Sequence, residues 1–206
     1  MKKSIAMCVG ISLMAVSLGV CAAVMEPDVL IKNITQEVLS TIKQDKGIQA
    51  NSPKEISGMM DAKVLPNFDF ERMTRLATGK SWRNANPEQQ KTLVAEFRNL
   101  LVHSYINVFM RYQDHIVEIK PFKMSAGANE VTIKTFIIKS GAQPLAVDYE
   151  MEKTADGWKV FDLVVDGVSL VTTYRSTFSR QVQQSGVDGL IKTLVAKNAA
   201  NNSLVE

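Results

Sequence analysis

The sequence predicts an α+β fold, with helices packed on one face of a curved antiparallel sheet of about four strands. The spacing of apolar residues changes twice along the chain, from helical to alternating after Arg111 and back to helical from Gly167. Helices, then consecutive strands, then helices again is the order typical of an α+β domain, in which the helices bury the apolar side of the sheet.

The N-terminal segment resembles no part of such a domain. Lys2 and Lys3 precede an apolar run from Ile5 to Val20, and small residues follow it. This layout predicts a signal peptide over residues 1–23, cleaved after Ala22 or Ala23, and therefore secretion across the membrane. The apolar run is shorter than the ~20 residues that a membrane span needs.

A lipoprotein signal is the alternative interpretation, because Leu18-Gly19-Val20-Cys21 places a cysteine after a leucine-led triplet. We favour simple cleavage, since Val20 is larger than the residue usually found before a lipidated cysteine. Both cysteines of the chain, Cys8 and Cys21, would then be lost, which excludes disulfides from the mature protein. Loss of Lys2 and Lys3 lowers the formal charge from +3 to +1, so no bulk attraction to nucleic acid is expected.

The first half of the mature chain predicts three helices. Leu30, Ile34, Val38 and Ile42 recur at every fourth position and form one apolar stripe between Pro27 and Lys46. Ser52-Pro53-Lys54-Glu55 has the residue order of a helix N-terminus and starts a short second helix. Asn86-Pro87-Glu88-Gln89 repeats that order and starts the longest helix, whose apolar sector is wider than one neighbour requires.

Alternating residues then predict the sheet. Val131 to Ile137 and Leu145 to Met151 each place apolar side chains at every second position, as strands with one buried face do. Asp156-Gly157 predicts a tight hairpin turn before a further strand. After Gly167 helical spacing returns, with a second helical start at Asp188. We therefore expect one domain over residues 24–197 and a flexible tail over 198–206.

A conical sheet covered by helices, as in nuclear-transport-factor and ketosteroid-isomerase folds, often holds an apolar cavity. The candidate lining residues come from the long helix, the sheet and the helix that follows it. They are Leu100, Leu101, Tyr105, Phe109, Val147, Tyr149, Val164, Val168, Val171, Tyr174 and Phe178. Ordinary core packing explains each of them equally well. Ser169 and Arg175 are weaker candidates for contacts at the mouth of the cavity.

Signals for catalysis are sparse. The chain has two histidines, His103 and His115, without a cysteine, phosphate-binding loop or metal-ligand spacing beside them, so no metal or cofactor is expected. Asp162 is a possible buried acid of an isomerase, although we favour a structural hydrogen-bonding role for it.

Four basic residues, Arg72, Arg75, Lys80 and Arg83, lie near aromatic residues. They form either a solvated helix surface, which we favour, or a surface that docks onto membrane proteins.

Two segments carry a resemblance to a known family. The first is Leu65-Pro66-Asn67-Phe68-Asp69-Phe70-Glu71-Arg72-Met73-Thr74, followed by Gly79 and Trp82-Arg83. The second contains Gly157-Trp158-Lys159-Val160-Phe161-Asp162, Asp166-Gly167-Val168-Ser169-Leu170-Val171, Tyr174-Arg175 and Gly186-Val187-Asp188-Gly189-Leu190-Ile191. From about Val29 to Leu194, the chain resembles the toluene-tolerance (MlaC) family.

This resemblance implies a non-enzymatic periplasmic carrier that binds a phospholipid by its acyl chains. Such a carrier shuttles lipid between an outer-membrane lipoprotein bound to a porin and an inner-membrane ABC transporter with a substrate-binding ring, and so maintains the lipid asymmetry of the outer membrane. We expect a monomer with phospholipid as its only ligand. An isomerase of the same shape and an adaptor without lipid remain the alternatives.

Overall fold

The computed structural model describes four stretches of the chain. The described residues are 25–45, 52–111, 115–139 and 141–202. The predicted signal peptide over residues 1–23, with both cysteines, lies outside them. No helix among the described residues is long and apolar enough to cross a membrane.

The described residues form five helices, of which four lie where the sequence predicts helical segments and one, the third, is additional. They are α1 (Pro27–Gln44), α2 (Pro53–Met59), α3 (Phe70–Thr78), α4 (Pro87–Arg111) and α5 (Leu170–Asn202). A π-helical turn (Met60–Val64) and a 3₁₀ turn (Leu65–Asn67) follow α2, and a 3₁₀ turn (Gly79–Asn84) follows α3. The predicted start of α4 is confirmed, because Asn86 and Gln89 exchange side-chain to backbone hydrogen bonds of 2.9 Å in both directions.

α5 is interrupted once and ends later than the sequence predicts. Gly186 has φ 70° and ψ −176°, outside the helical region, which separates the segment starting near Asp188 from the preceding one. The helix then continues beyond Lys197, where the sequence predicts a flexible tail, to Asn202. Asn198 is only 5% exposed and its amide donates to the backbone carbonyl of Glu96 at 2.9 Å, so the helical structure extends into residues 198–202.

The fold class is confirmed as α+β with an open antiparallel sheet, and the sheet has five strands. They are β1 (Ile116–Ile119), β2 (Glu130–Ile138), β3 (Leu145–Thr154), β4 (Gly157–Val165) and β5 (Val168–Ser169). Their spatial order is the same as their order along the chain. The cone of nuclear-transport-factor folds stays a prediction.

A β-bulge changes the phase of β4. Glu150 pairs with Asp162 but Met151 pairs with Val160, so Phe161 has no partner on β3. Side chains alternate between the two faces of a strand, and the extra residue reverses this alternation. Consequently Val160 and Leu163 both join the apolar cluster of Ile133 and Met151.

Two helical groups meet the sheet. Ile31 of α1 packs on Ile133, Met151, Trp158 and Val160. Helix α1 therefore covers the face of the sheet to which these four residues belong, and we call this face the α1 face. The other group forms the helical cluster, in which α3, α4 and α5 bury their apolar residues around Phe97. Phe161 belongs to the helical cluster, so the bulged residue of β4 links the sheet to these three helices.

Candidate functional site

A cleft of about 630 Å³ lies between α1 and the edge strand β1. Nine residues line it, namely Lys32, Thr35, Gln36, Leu39, Lys43, His115, Ile116, Val117 and Ile119. Its volume lies within the range usual for ligand sites. A phospholipid, the ligand that the family resemblance implies, needs an interior of ~1,000 Å³ or more, so this cleft alone is smaller than that ligand requires.

The helical wall of the cleft follows from the periodicity of α1. Residues spaced by three, four or seven positions lie on one side of a helix. Ile31, Val38 and Ile42 are buried, and the adjacent stripe from Lys32 to Lys43 faces the cleft. The cleft therefore lies next to the buried side of α1, between the stripe from Lys32 to Lys43 and strand β1.

A second cavity of about 470 Å³ lies at the same end of the sheet. It is lined by His115, Ile137, Lys139, Ala142, Gln143, Pro144, Leu145 and Asp166. His115 belongs to both cavities, and Val117 of the first pairs with Ile137 of the second across β1 and β2. The two cavities therefore adjoin each other at one end of the α1 face.

The α1 face is apolar from its buried middle to this end. Thr135 pairs with Ile119 on one side and with Val147 on the other, and Ile133 pairs with Tyr149. Ile133 is fully buried and Val147 is 7% exposed. Burial raises the pKa of Tyr149 to about 12, which reflects the low polarity around its hydroxyl. Val147 and Tyr149, both predicted as lining residues, thus belong to the face that continues into the two cavities.

Five other predicted lining residues belong to the helical cluster. They are Leu100, Leu101, Val171, Tyr174 and Phe178. The rings of Tyr174 and Phe178 meet that of Phe97 edge-on, with centroids 5.0 and 5.1 Å apart. Neither cavity is lined by any of the five, so the structure accounts for them as core residues of the three helices.

The remaining predicted lining residues are scattered. Tyr105 is 42% exposed on α4, and burial together with neighbouring Tyr174 raises its pKa. Val168 is 61% exposed on β5. Val164 pairs with Asp148, whereas its neighbour Leu163 pairs with Tyr149 and joins the α1-face cluster, so Val164 lies on the opposite face. The side chain of Phe109 lies outside the described residues.

The two residues predicted for the mouth have structural contacts away from the cavities. The Ser169 hydroxyl donates to the Asp162 carboxylate and accepts from the backbone of Thr172 at 3.0 Å, as an N-terminal cap of α5 does. Arg175 packs against Gly79, where an added Cβ would lie 3.3 Å from the arginine Nε. The structure does not bring either residue to the cleft.

Of the four basic residues considered as a docking surface, one is paired with carboxylates and three are exposed. Arg72 is 15% exposed and pairs with both Glu130 and Glu152. Burial, the largest single influence, lowers the pKa of Arg72, but the hydrogen bonds and charges of the two glutamates outweigh it and raise that pKa. Arg75, Lys80 and Arg83 are exposed.

Of the residues considered for catalysis, Asp162 is held by structural hydrogen bonds, whereas His115 lines both cavities. Asp162 is 8% exposed and accepts hydrogen bonds from the backbone of Leu163 and Val171 and from the Ser169 hydroxyl, which is the structural role expected. His103 is partly buried within α4, and neither cavity is lined by it. Within the described ranges no cluster of three or more His, Cys, Asp or Glu could hold a metal ion.

Sequence reasoning missed the two walls of the cleft. Val117 and Ile119 alternate with Glu118, as apolar residues do along a strand. The run at 116–119 is short, so this strand signal is easy to overlook. Lys32 and Lys43 flank Leu39 in a mostly polar stripe, which has the appearance of a solvated helix surface. Only the tertiary position of α1 shows that this stripe faces another element.

In comparisons with known proteins, the chain matches a family model and is similar to relatives from other bacteria. The family model described as MlaC protein matches residues 32–196. The toluene tolerance protein ttg2D of Pseudomonas putida is 25% identical over 190 residues, which cover 88% of this chain and 87% of that protein. The intermembrane phospholipid transport system binding protein MlaC of Haemophilus influenzae is 22% identical over 168 residues, covering 80% and 78% of the two chains.

A solved structure has a closely similar fold. It is the phospholipid-binding protein from Ralstonia solanacearum in complex with a phospholipid. The TM-score is 0.80 at 31% identity, and the match covers 86% of this chain and 99% of the Ralstonia chain. The likeness therefore extends over nearly all of the described elements.

Proposed function

Because the chain belongs to the MlaC family, we propose that it binds a phospholipid and carries it between the two membranes of a Gram-negative envelope, through the periplasm. The Haemophilus relative is named as a binding protein of intermembrane phospholipid transport, and the Ralstonia structure holds a phospholipid. The observation in this chain that carries the proposal is the α1 face, whose mostly apolar side chains extend from a packed core, past Thr135, to Val117 and Ile119 in an open cleft.

The energetics of acyl chains explain why such a cleft is needed. A phospholipid has on the order of 30 methylene groups, and each costs roughly 0.8 kcal/mol when it is moved into water. A carrier must offset about 25 kcal/mol, which requires an interior site and not a surface patch. We place the acyl chains in the cleft beside Leu39, Val117 and Ile119, extending along the α1 face toward Val147 and Tyr149.

Transfer of lipid would require docking onto membrane complexes. We propose the exposed cations Arg75, Lys80 and Arg83 as a surface that meets them, with Arg72 holding α3 in place beneath. The partners implied by the family are the outer-membrane lipoprotein–porin complex and the inner-membrane ABC transporter with its substrate-binding ring.

Native mass spectrometry tests lipid binding directly. Protein purified from a bacterial periplasm should carry about one phospholipid per chain, and a bare polypeptide mass would contradict the proposal and favour an adaptor. Two neighbouring variants of α1 locate the site. Leu39→Asp puts a carboxylate into the apolar cleft and should lower lipid occupancy at least about tenfold, because an ion is poorly tolerated against acyl chains.

Ser40→Asp is the matched control, because Ser40 is the next residue of α1 and is exposed. It introduces the same charge at nearly the same point of the helix and should leave lipid occupancy unchanged. Equal occupancy in Leu39→Asp and Ser40→Asp would place the lipid elsewhere in the molecule.

A further inference from the structure

The α1 face changes from open to closed within a few residues of β2. Ile137 lines the second cavity and is partly exposed, whereas Thr135 and Ile133, which follow it on the same face, are buried. Successive residues on one face of a strand are about 6.6–6.8 Å apart, so this change takes place over about 13 Å. The Thr135 hydroxyl donates to the backbone carbonyl of Val147 at 2.7 Å, so its polar group is satisfied within the sheet.

The cleft joins the closed part of this face through Ile119. Ile119 lines the cleft and also packs on the apolar cluster that contains Ile133 and Met151. It pairs with Thr135 across β1 and β2, and Ile133 is the next residue of β2 on the same face. A hydrocarbon chain that enters between α1 and β1 and follows the face past Ile119 therefore reaches Ile133 and Met151.

Ile133 and Met151 lie in a tightly packed part of the face. Both side chains are fully buried, and neither of the two cavities is lined by them. Val160 of β4 and Ile31 of α1, which belong to the same cluster, are 1% and 3% exposed. Protein interiors packed in this way have few voids larger than a water molecule. An acyl chain that arrives at Ile133 and Met151 must therefore stop or displace them.

Resting on the proposed phospholipid binding, we infer that Ile133 and Met151 form the floor of the acyl-chain site and set the chain length that the protein accepts. A membrane buries every methylene of a phospholipid, whereas the protein buries those up to this floor. Each further methylene must stay in water or displace packed side chains. Uptake from a membrane should then decrease by up to about fourfold for each methylene beyond the limit, which is equivalent to roughly 0.8 kcal/mol.

Truncation of Met151 separates a floor from an ordinary core residue. Met151→Ala leaves an apolar cavity where the path along the α1 face ends, and a cavity of this kind stays dry and accepts an apolar guest. A longer acyl chain should fill it. Leu93→Ala is the matched control, because Leu93 of α4 is equally buried, at 1% exposed, but belongs to the helical cluster and not to the α1 face.

A competition experiment measures the length limit. Delipidated mature protein is incubated with vesicles that contain equal amounts of several phosphatidylglycerols differing only in acyl-chain length, and the bound lipids are counted by mass spectrometry. The wild type should take up the shorter lipids equally and discriminate against all those beyond one length. In Met151→Ala the lipid just beyond that length should be enriched about fourfold relative to wild type. Leu93→Ala should keep the wild-type limit.

Thermal unfolding gives an independent readout of the same contact. A lipid just longer than the wild-type limit should recover part of the stability that Met151→Ala loses, because its acyl chain replaces the missing side chain. The same lipid should stabilise Leu93→Ala no more than it stabilises the wild type. Met151→Val removes less volume and takes the place of Met151→Ala if the alanine variant does not fold.

The outcomes separate this inference from the proposed function. An unchanged length limit in folded Met151→Ala or Met151→Val would overturn the inference, and so would an equal shift in Leu93→Ala, which would indicate a general loosening of the core. A wild type that binds lipid without any length limit would also overturn it and leave the proposed function intact. A wild type that binds no lipid of any length would overturn both proposals together.

Discussion

The guanidinium carbon of Arg72 lies 3.6 Å from the centre of the Phe161 ring, so the helix α3 and the bulge of β4 are in direct contact. The same guanidinium pairs with Glu130 at 2.6 Å and with Glu152. Glu130 and Glu152 face each other across β2 and β3. One arginine side chain therefore connects α3 with three consecutive strands of the sheet.

Replacement of Arg72 by alanine should destabilise the protein by about 2–4 kcal/mol. The variant loses a cation–π contact and leaves Glu152, which is 19% exposed, without its cation. Arg75→Ala on the same helix is the control, and because Arg75 is exposed its effect should remain within about 0.5 kcal/mol. Urea denaturation gives both values. Equal stability of the two variants would mean that Arg72 does not couple the helix to the sheet.

Asp162→Ala should cost about 2–4 kcal/mol of stability without changing lipid occupancy. Leu163 and Val171 donate backbone hydrogen bonds to this carboxylate at 2.8 and 3.0 Å, and Ser169 donates its hydroxyl, so three donors lose their acceptor. Asp156→Ala, in the exposed hairpin turn, should cost less than about 1 kcal/mol. Thermal unfolding and native mass spectrometry test the two parts. Lost lipid with unchanged stability would assign Asp162 to the binding site.

The stability of the protein should fall between pH 10 and pH 12 because of Tyr149. Burial raises the pKa of Tyr149 from 10.0 to about 12 in the folded chain. In this window the folded chain retains a proton that the unfolded chain releases, so the free energy of unfolding decreases as the pH rises. A shift of about two pKa units corresponds to a loss of roughly 2–3 kcal/mol by pH 12.

Tyr149→Phe removes this ionisation and keeps the ring. The difference in unfolding free energy between wild type and Tyr149→Phe should therefore change by that amount between pH 9 and pH 12, while other tyrosines and lysines affect both proteins equally. Parallel pH curves for the two proteins would contradict a buried Tyr149.

The fold could be predicted from local patterns, whereas the cavity depends on long-range placement. Periodicity located α1, α4 and the strands β2 to β4, and the capping residues Asn86 and Gln89 fixed the start of α4 to the residue. No local pattern reveals the bulge at Phe161, since it appears only in the pairing with Met151. Because of this bulge, the predicted lining residue Val164 lies on the face opposite that of Val160 and Tyr149.

The lining residues illustrate a second limit of sequence reasoning. Leu100 and Phe178 have the apolar character of a cavity wall, yet they pack against a neighbouring helix, and apolar spacing alone does not distinguish these two uses. The sequence shows the positive charge of Arg72 but not its ion-pair partners, because Glu130 and Glu152 are 58 and 80 residues away in sequence. Its basic character was visible, but its burial depended on the tertiary fold.

Shortening the chain to end at Lys197 should destabilise it by about 1–2 kcal/mol relative to a chain that ends at Asn202. Asn198 is 5% exposed, and its amide donates to both the backbone carbonyl and the carboxylate of Glu96 on α4. Removal of Asn198 leaves two acceptors on α4 without this donor. Asn198→Ala in the full-length chain should reproduce most of the loss, because the hydrogen bonds and not the length of the helix are responsible. Urea denaturation of the two truncated chains, the full-length wild type and Asn198→Ala measures the effect, and identical midpoints for the two truncated chains would place the end of the stable structure at Lys197.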